Sequence, residues 1–271
     1  MVKDGDGHIE IGMGKLHYTA SGHGKKLLLA FHGYGNDAGK FILLNPYLAA
    51  DYTLLSFDLP HHGGSEWPEG VQVQKADFVA LATGLMADYG VDKISLLGYS
   101  MGARVCLSLV EQIPDKIEHI VLIAPDGIVF SAMYYFLTRN FIGKRLFGHF
   151  LSHTGFYLPF VDWLKRVKVL DPSLHKFASY YLQSEKERDF LLKVWPAMAL
   201  ITVDSASLKK IIDHHHLKVD IFMGAYDRII PVANAKKFIK NSKNIKLHVM
   251  ETGHNVINGN TAKQIVAPFL D

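Results

Sequence analysis

Three side chains far apart in the chain have the types needed to make a serine nucleophilic: Ser100, Asp227 and His254. A serine hydroxyl attacks poorly at neutral pH. It needs an imidazole to take its proton and a carboxylate to hold that imidazole in the right tautomer. Ser100 stands in Gly98-Tyr99-Ser100-Met101-Gly102, directly after the apolar run KISLL and before a helical pattern. That G-x-S-x-G context predicts a tight strand-to-helix turn that lifts the hydroxyl above a sheet. The glycines admit neighbouring backbone, and the helix N-terminus favours developing negative charge. Asp227 lies in GAYDRIIP just past the apolar run VDIFM, and His254 lies in ETGHNV just past KLHVM.

Other residues compete for these roles. Asp126 follows the apolar run IVLIA directly and is the alternative acid; the G-x-x-D-x-x-x-P frame favours Asp227, leaving Asp126 as the cap of the segment that follows. Of the 15 histidines, His32 is expected to bond locally. The run His214-His215-His216 does not read as a metal site, because consecutive histidines cannot all face one ion and no carboxylate or cysteine cluster accompanies them. No metal or cofactor is expected. Cys106 reads as a buried structural thiol on the helix after the serine.

The elements that must position these groups are legible as alternating apolar runs and amphipathic segments, the pattern of strands feeding crossover helices onto a parallel sheet. Strands are predicted at Lys15–Thr19, Leu27–His32, Thr53–Asp58, Ile94–Gly98, Ile120–Ala124, Val219–Met223 and Lys246–Met250. Helices are predicted near Ala38–Leu48, Gln74–Tyr89, Met101–Gln112, Ala233–Lys240 and Thr261–Phe269. The alternation stops after Asp126, which predicts a core domain of residues 1–126 and 217–271 with a helical lid inserted at 127–216. All three reactive residues then fall at the carboxyl edge of the strands, where open α/β sheets bind their ligands. The fragment DGDG lacks the later ligands of a calcium loop and is expected to be a flexible turn.

The 271 residues are 49% hydrophobic and 20% charged, with a formal net charge of +3 and one cysteine. This is the composition of a chain that buries a core, without a basic run for nucleic acid or a disulfide framework. The opening MVKDGDGHIE lacks the apolar region of a secretory signal, and no apolar run is long enough to span a bilayer, so a cytoplasmic protein is expected.

The segments FHGYG at 31–35, DLPHHGGS at 58–65, GYSMGA at 98–103, GAYDRIIP and GHN at 253–255 together resemble the α/β-hydrolase family across nearly the whole chain. In some members the acid follows the earlier strand, where Asp126 stands. His61 and His62 fall in a turn that supports the site in family members. The resemblance implies an oxyanion hole built from the backbone N–H groups of Tyr34 and Met101, each donor worth about 3–4 kcal/mol to a tetrahedral intermediate. Tyr99, Arg104 and Arg139 are candidate substrate contacts.

The expected reaction is hydrolysis of a small carboxylic ester. The aromatic-rich segment from Phe130 to Trp163 predicts packing helices, a wall for an apolar acyl or aromatic group, or a surface that touches membranes. GYSMGAR also resembles the menaquinone-pathway lyases of this fold, in which an arginine after the serine binds an anionic substrate; C–C bond hydrolases use the same triad. Ala103 stands where those lyases usually carry glycine. A small-molecule receptor of this fold is the alternative of another class.

Overall fold

The computed structural model describes residues 5–129, 131–152 and 184–270. The chain begins with the antiparallel hairpin β1 (Gly5–Ile11) and β2 (Gly14–Ser21), turned at Gly12, whose φ of 54° is a left-handed conformation suited to glycine. The described part of DGDG is therefore strand and not turn. Gly7 sits where any Cβ would lie 2.3 Å from the Tyr18 hydroxyl, and Asp6 accepts a hydrogen bond from Thr19 Oγ1 at 2.8 Å. Gly7 is there because the partner strand's tyrosine crosses over it, and Gly5 because its φ of 102° suits glycine.

Strand β3 (Lys26–Phe31) leads into a 3-10 helix (Ala38–Leu44), then α1 (Asn45–Leu48) and β4 (Tyr52–Phe57). The single helix expected at 38–48 is thus two short pieces, divided where Pro46 in the first turn of α1 lacks an N–H to continue the hydrogen-bond ladder. There follow α2 (Lys75–Tyr89), β5 (Ile94–Tyr99), α3 (Gly102–Gln112) and β6 (Ile117–Ile123). Next come α4 (Ala132–Arg139), α5 (Phe141–Ser152), α6 (Glu185–Ala197) and α7 (Ser205–His214). The chain continues through β7 (Lys218–Gly224), α8 (Val232–Ile239), β8 (Ile245–Met250) and α9 (Ala262–Leu270).

The strands form one eight-stranded sheet in the order β1-β2-β4-β3-β5-β6-β7-β8. β3 to β8 run parallel, and β1 and β2 are antiparallel to their neighbours. Strands β3, β4 and β5 are buried almost end to end, as a sheet covered on both faces requires. Side chains alternate between two layers. Leu28, Ala30, Leu97, Tyr99, Val121 and Ile123 pack with Phe41, Leu44, Leu48, Val266 and Phe269, while Gly98 faces α3 and Phe31 meets Phe78 of α2. Each large apolar side chain so enclosed contributes roughly 1.5–3 kcal/mol.

Residues divide into two compact units. One comprises 1–68, 73–130 and 200–271 and holds the sheet; the other comprises 69–72 and 131–199. Within the second, Tyr134 donates to the Trp195 carbonyl at 3.2 Å, and Phe147 stacks on Trp195 with ring centroids 5.5 Å apart. The described helix α7, in the segment expected to be part of the insertion, belongs to the sheet's unit. Among the described residues no helix is long and apolar enough to cross a membrane.

Candidate active site

The strand order reverses direction between β3 and β5, because the chain leaves β3 toward β4 on one side and β5 builds on the other. Loops leaving that pair at their carboxyl ends diverge and open a crevice. The loop after β3 carries Gly33 and Tyr34, and the turn after β5 carries Ser100 and Met101.

Ser100 has φ 49°, a left-handed conformation that costs a non-glycine residue of order 1 kcal/mol or more and is held by its surroundings. Its N–H donates to the Ile123 carbonyl at 2.9 Å, and its carbonyl accepts from Ala103 N and Asp126 N, both at 3.0 Å. The motif glycines answer to packing. A Cβ on Gly102 would lie 1.9 Å from the Phe31 carbonyl oxygen, and one on Gly98 would lie 2.7 Å from the Ala103 Cα. With glycine there, α3 starts directly against β3 and β5.

His254 Nε2 is 3.1 Å from Ser100 Oγ, and its Nδ1 is 2.7 Å from Asp227 Oδ2. The structure brings together these residues from 154 and 27 positions apart. The Asp227 side chain is fully enclosed, and its other oxygen accepts from the N–H groups of Ile229 and Ile230 at 2.8 and 2.9 Å. A buried carboxylate with every oxygen engaged stays where it is put. Gly224, the last residue of β7, would clash with the Gly253 carbonyl at 2.0 Å if it carried a Cβ, so the acid loop and the histidine loop touch through bare backbone.

Asp126 meets Ser100 only through its backbone N–H, and its carboxylate is not the one that meets His254. Its carboxylate holds buried Arg104, with Oδ2 2.8 Å from Nε and 2.6 Å from Nη2. Arg104, a candidate substrate contact, is thus engaged in a local ion pair. Tyr99 is nearly buried and points into the layer shared with α9; its hydroxyl donates to the His254 carbonyl at 3.3 Å and its ring lies 5.5 Å from the imidazole. It backs the base from that side. Arg139 ends α4 in the other unit, with its guanidinium 5.0 Å from the Tyr135 ring centroid.

The loop bearing Tyr34 is fixed by two neutral histidines. His32 Nδ1 donates to the Gly33 carbonyl at 2.7 Å, while Nε2 accepts from Leu59 N at 2.9 Å. The Gly33 carbonyl and the Tyr34 N–H belong to one peptide plane, so gripping the first aims the second. A Cβ on Gly33 would sit 3.0 Å from Ser100 Cβ, which puts that peptide beside the serine. His62 accepts from Gly35 N at 3.2 Å through Nε2 and donates to the Pro60 carbonyl at 2.9 Å through Nδ1. Burial lowers His32 to about 4 and His62 to about 3, so both are neutral at pH 7. Asp58, buried beneath, accepts from Ala38 N, Gly64 N and His17 Nδ1.

Sequence reasoning missed Lys40. Its ammonium lies 4.7 Å from the Tyr99 ring centroid and 2.5 Å from Asn255 Oδ1, next to His254. Nothing local in AGKFI signals a partner 215 residues away. The histidines 214–216 lie at the end of α7, where His215 pairs with Asp115 at 2.8 Å, and among the described residues no cluster could hold a metal ion.

The sequence matches the family described as alpha/beta hydrolase fold over residues 26–258. It is 24% identical to the dihydrolipoyllysine-residue acetyltransferase component of the acetoin cleaving system of Pseudomonas putida, over 81% of this chain and 57% of that one. It spans from about a third to little more than half the length of several curated relatives it matches. Similarity is more even with the 2-hydroxy-6-oxononadienedioate/2-hydroxy-6-oxononatrienedioate hydrolase of Comamonas testosteroni, 23% identical over 89% of this chain and 85% of that one. Among solved structures, a thermophilic esterase from Thermogutta terrifontis superposes with a TM-score of 0.65 at 18% identity, covering 97% of both chains.

Proposed function

Because the chain belongs to the alpha/beta hydrolase fold family, an enzyme family, we propose that it is a serine hydrolase acting on a small carboxylic ester through an acyl-enzyme on Ser100. The observation that carries this is the unbroken relay from Ser100 Oγ through His254 to enclosed Asp227. Ser100 Oγ attacks the ester carbonyl as His254 Nε2 takes its proton. The alkoxide so formed accepts from the N–H groups of Met101 and Tyr34, His32 aiming the latter. His254 returns the proton to the departing alcohol, and a water deprotonated by the same imidazole releases the acid. No cofactor enters. In this reading the inserted helical segment is a lid whose apolar and aromatic side chains select the acyl group, and the protein works in the cytoplasm.

A fluorophosphonate probe and a panel of p-nitrophenyl esters test the assignment. The native protein is expected to label and to turn over short esters, and Ser100→Ala to lose labelling and about three orders of magnitude or more of turnover. Absence of labelling in folded native protein would favour a receptor of the same fold.

A second reading, hydrolysis of a C–C bond with the same relay, is favoured by the similarity to the Comamonas testosteroni hydrolase. There a substrate carboxylate would have to draw Arg104 away from Asp126, so Arg104→Ala would raise KM for an anionic substrate and leave neutral esters unaffected. A lyase of the menaquinone-pathway type would make the same demand on Arg104.

A further inference from the structure

We infer that the face of β6, β7 and β8 beside α9 holds a second site, a binding site for a small organic polyanion bearing phosphate or several carboxylates. A cavity of about 450 Å³ lies against β6, β7, β8 and α9, lined in part by Lys218, Lys243, Lys246, His119, His248 and Asp220. The volume is within the range of small-molecule sites. Its charged lining is three lysines against one acid, and that acid is already spent on its neighbours.

Asp220 is buried, and each of its oxygens meets an imidazole from an adjoining strand: Oδ2 lies 2.9 Å from His119 Nε2, and Oδ1 lies 2.6 Å from His248 Nε2. Burial pushes its carboxyl up, but the hydrogen bonds from the two histidines outweigh this and hold it below the usual value, so it is ionised. The register sets the cluster in place, with Asp220 opposite Lys246, Phe222 opposite His248 and His119 opposite Lys218. Phe222 stacks on His248 with centroids 4.4 Å apart, and the His119 ring lies 5.4 Å from Phe269. The two imidazoles are therefore fixed in tautomer and plane, with Nε2–H committed to Asp220 and Nδ1 the remaining polar atom of each ring.

An ionised acid and two rings inside a sheet cost desolvation that an apolar trio of the same volume would avoid. The relay at Ser100 makes no use of them. What they supply is a fixed polar floor beside three exposed ammonium groups, which suits an anion of more than one charge. Lysines contribute as point charges and do not impose the flat bidentate geometry of arginine, so phosphate and carboxylate clusters share the chemistry.

Calorimetric titration of the full chain with pyrophosphate and with citrate, at constant ionic strength, tests this. At least one is expected to bind saturably, the tighter of the two identifying the anionic group, and Lys218→Ala/Lys246→Ala to weaken binding about tenfold or more. Lys236→Ala/Lys237→Ala, which removes the same charge from α8, is expected to bind as the native protein does. No saturable heat with either anion up to about 10 mM would overturn the site. So would equal binding by the Lys218/Lys246 variant, or an equal loss in the Lys236/Lys237 variant.

Discussion

His32 can aim the Gly33–Tyr34 peptide only as a neutral ring, since it donates from one nitrogen and accepts at the other. Protonation would turn the acceptor at Leu59 N into a donor facing a donor. Folded His32 and His62 titrate at about 4 and about 3, below the ordinary 6.5, so the unfolded chain binds more protons between those values. Their contribution is intact above about pH 6.5 and declines as pH falls through 6.5 toward 4 and 3. Asp58 faces both rings and opposes the lowering, while His61 adds to it at His62. Urea midpoints at pH 7 and 4.5 should fall less in His62→Asn than in the native chain; an equal fall would place the acid sensitivity elsewhere. The two candidate acids separate by the same kind of reasoning. Asp227→Asn keeps shape but leaves His254 in the wrong tautomer, for a loss of about 10⁴ in kcat, whereas Asp126→Asn weakens only the Arg104 pair and changes ester turnover a few-fold at most. Lys40 lies one ring away from the base and holds Asn255 beside it.

Elements position these residues by how closely backbones approach, and glycine controls the approach. Gly102 is the sharpest case. Its missing side chain is the space occupied by the Phe31 carbonyl, which belongs to backbone at the end of a central strand and cannot yield. Gly102→Ala is expected to cost about 3 kcal/mol or more, read as a drop in urea midpoint, while Gly84→Ala in α2, with open space around it, should be neutral or stabilising. What the sequence made legible follows the same line. The apolar runs and the glycine-flanked serine are local signals, and β3 to β8, α2, α3, α8 and α9 fell close to where their periodicity predicts. β1 was hidden because Gly5 and Gly7 resemble a turn until Tyr18 is seen to cross Gly7. Lys40, the fate of Arg104 and the Asp220 cluster were hidden for a different reason, since each depends on partners 22 to 215 residues away, which periodicity does not encode.

At the scale of the molecule, every contact described for Ser100, Asp227 and His254 lies within the unit formed by 1–68, 73–130 and 200–271, although the chain crosses the other unit between β6 and β7. The sheet's unit has its own buried core and closes on itself at the crossing, where Ser205 Oγ donates to the Ile128 carbonyl at 2.8 Å. The two ends of the excursion are therefore tethered independently of what lies between, and closing a short flexible loop there costs no more than closing a long one. Replacing Ser131–Ala199 by a short Gly/Ser linker should leave the relay assembled. The expected variant shows the circular dichroism of a mixed α/β protein, labels with fluorophosphonate, and turns over short esters. If the excised segment selects the acyl group, discrimination between acetyl and octanoyl esters should shrink toward unity. A variant that folds but does not label would mean that the activated serine depends on the segment removed. A variant that labels with unchanged acyl preference would instead assign selectivity to the loops around Tyr34 and Met101.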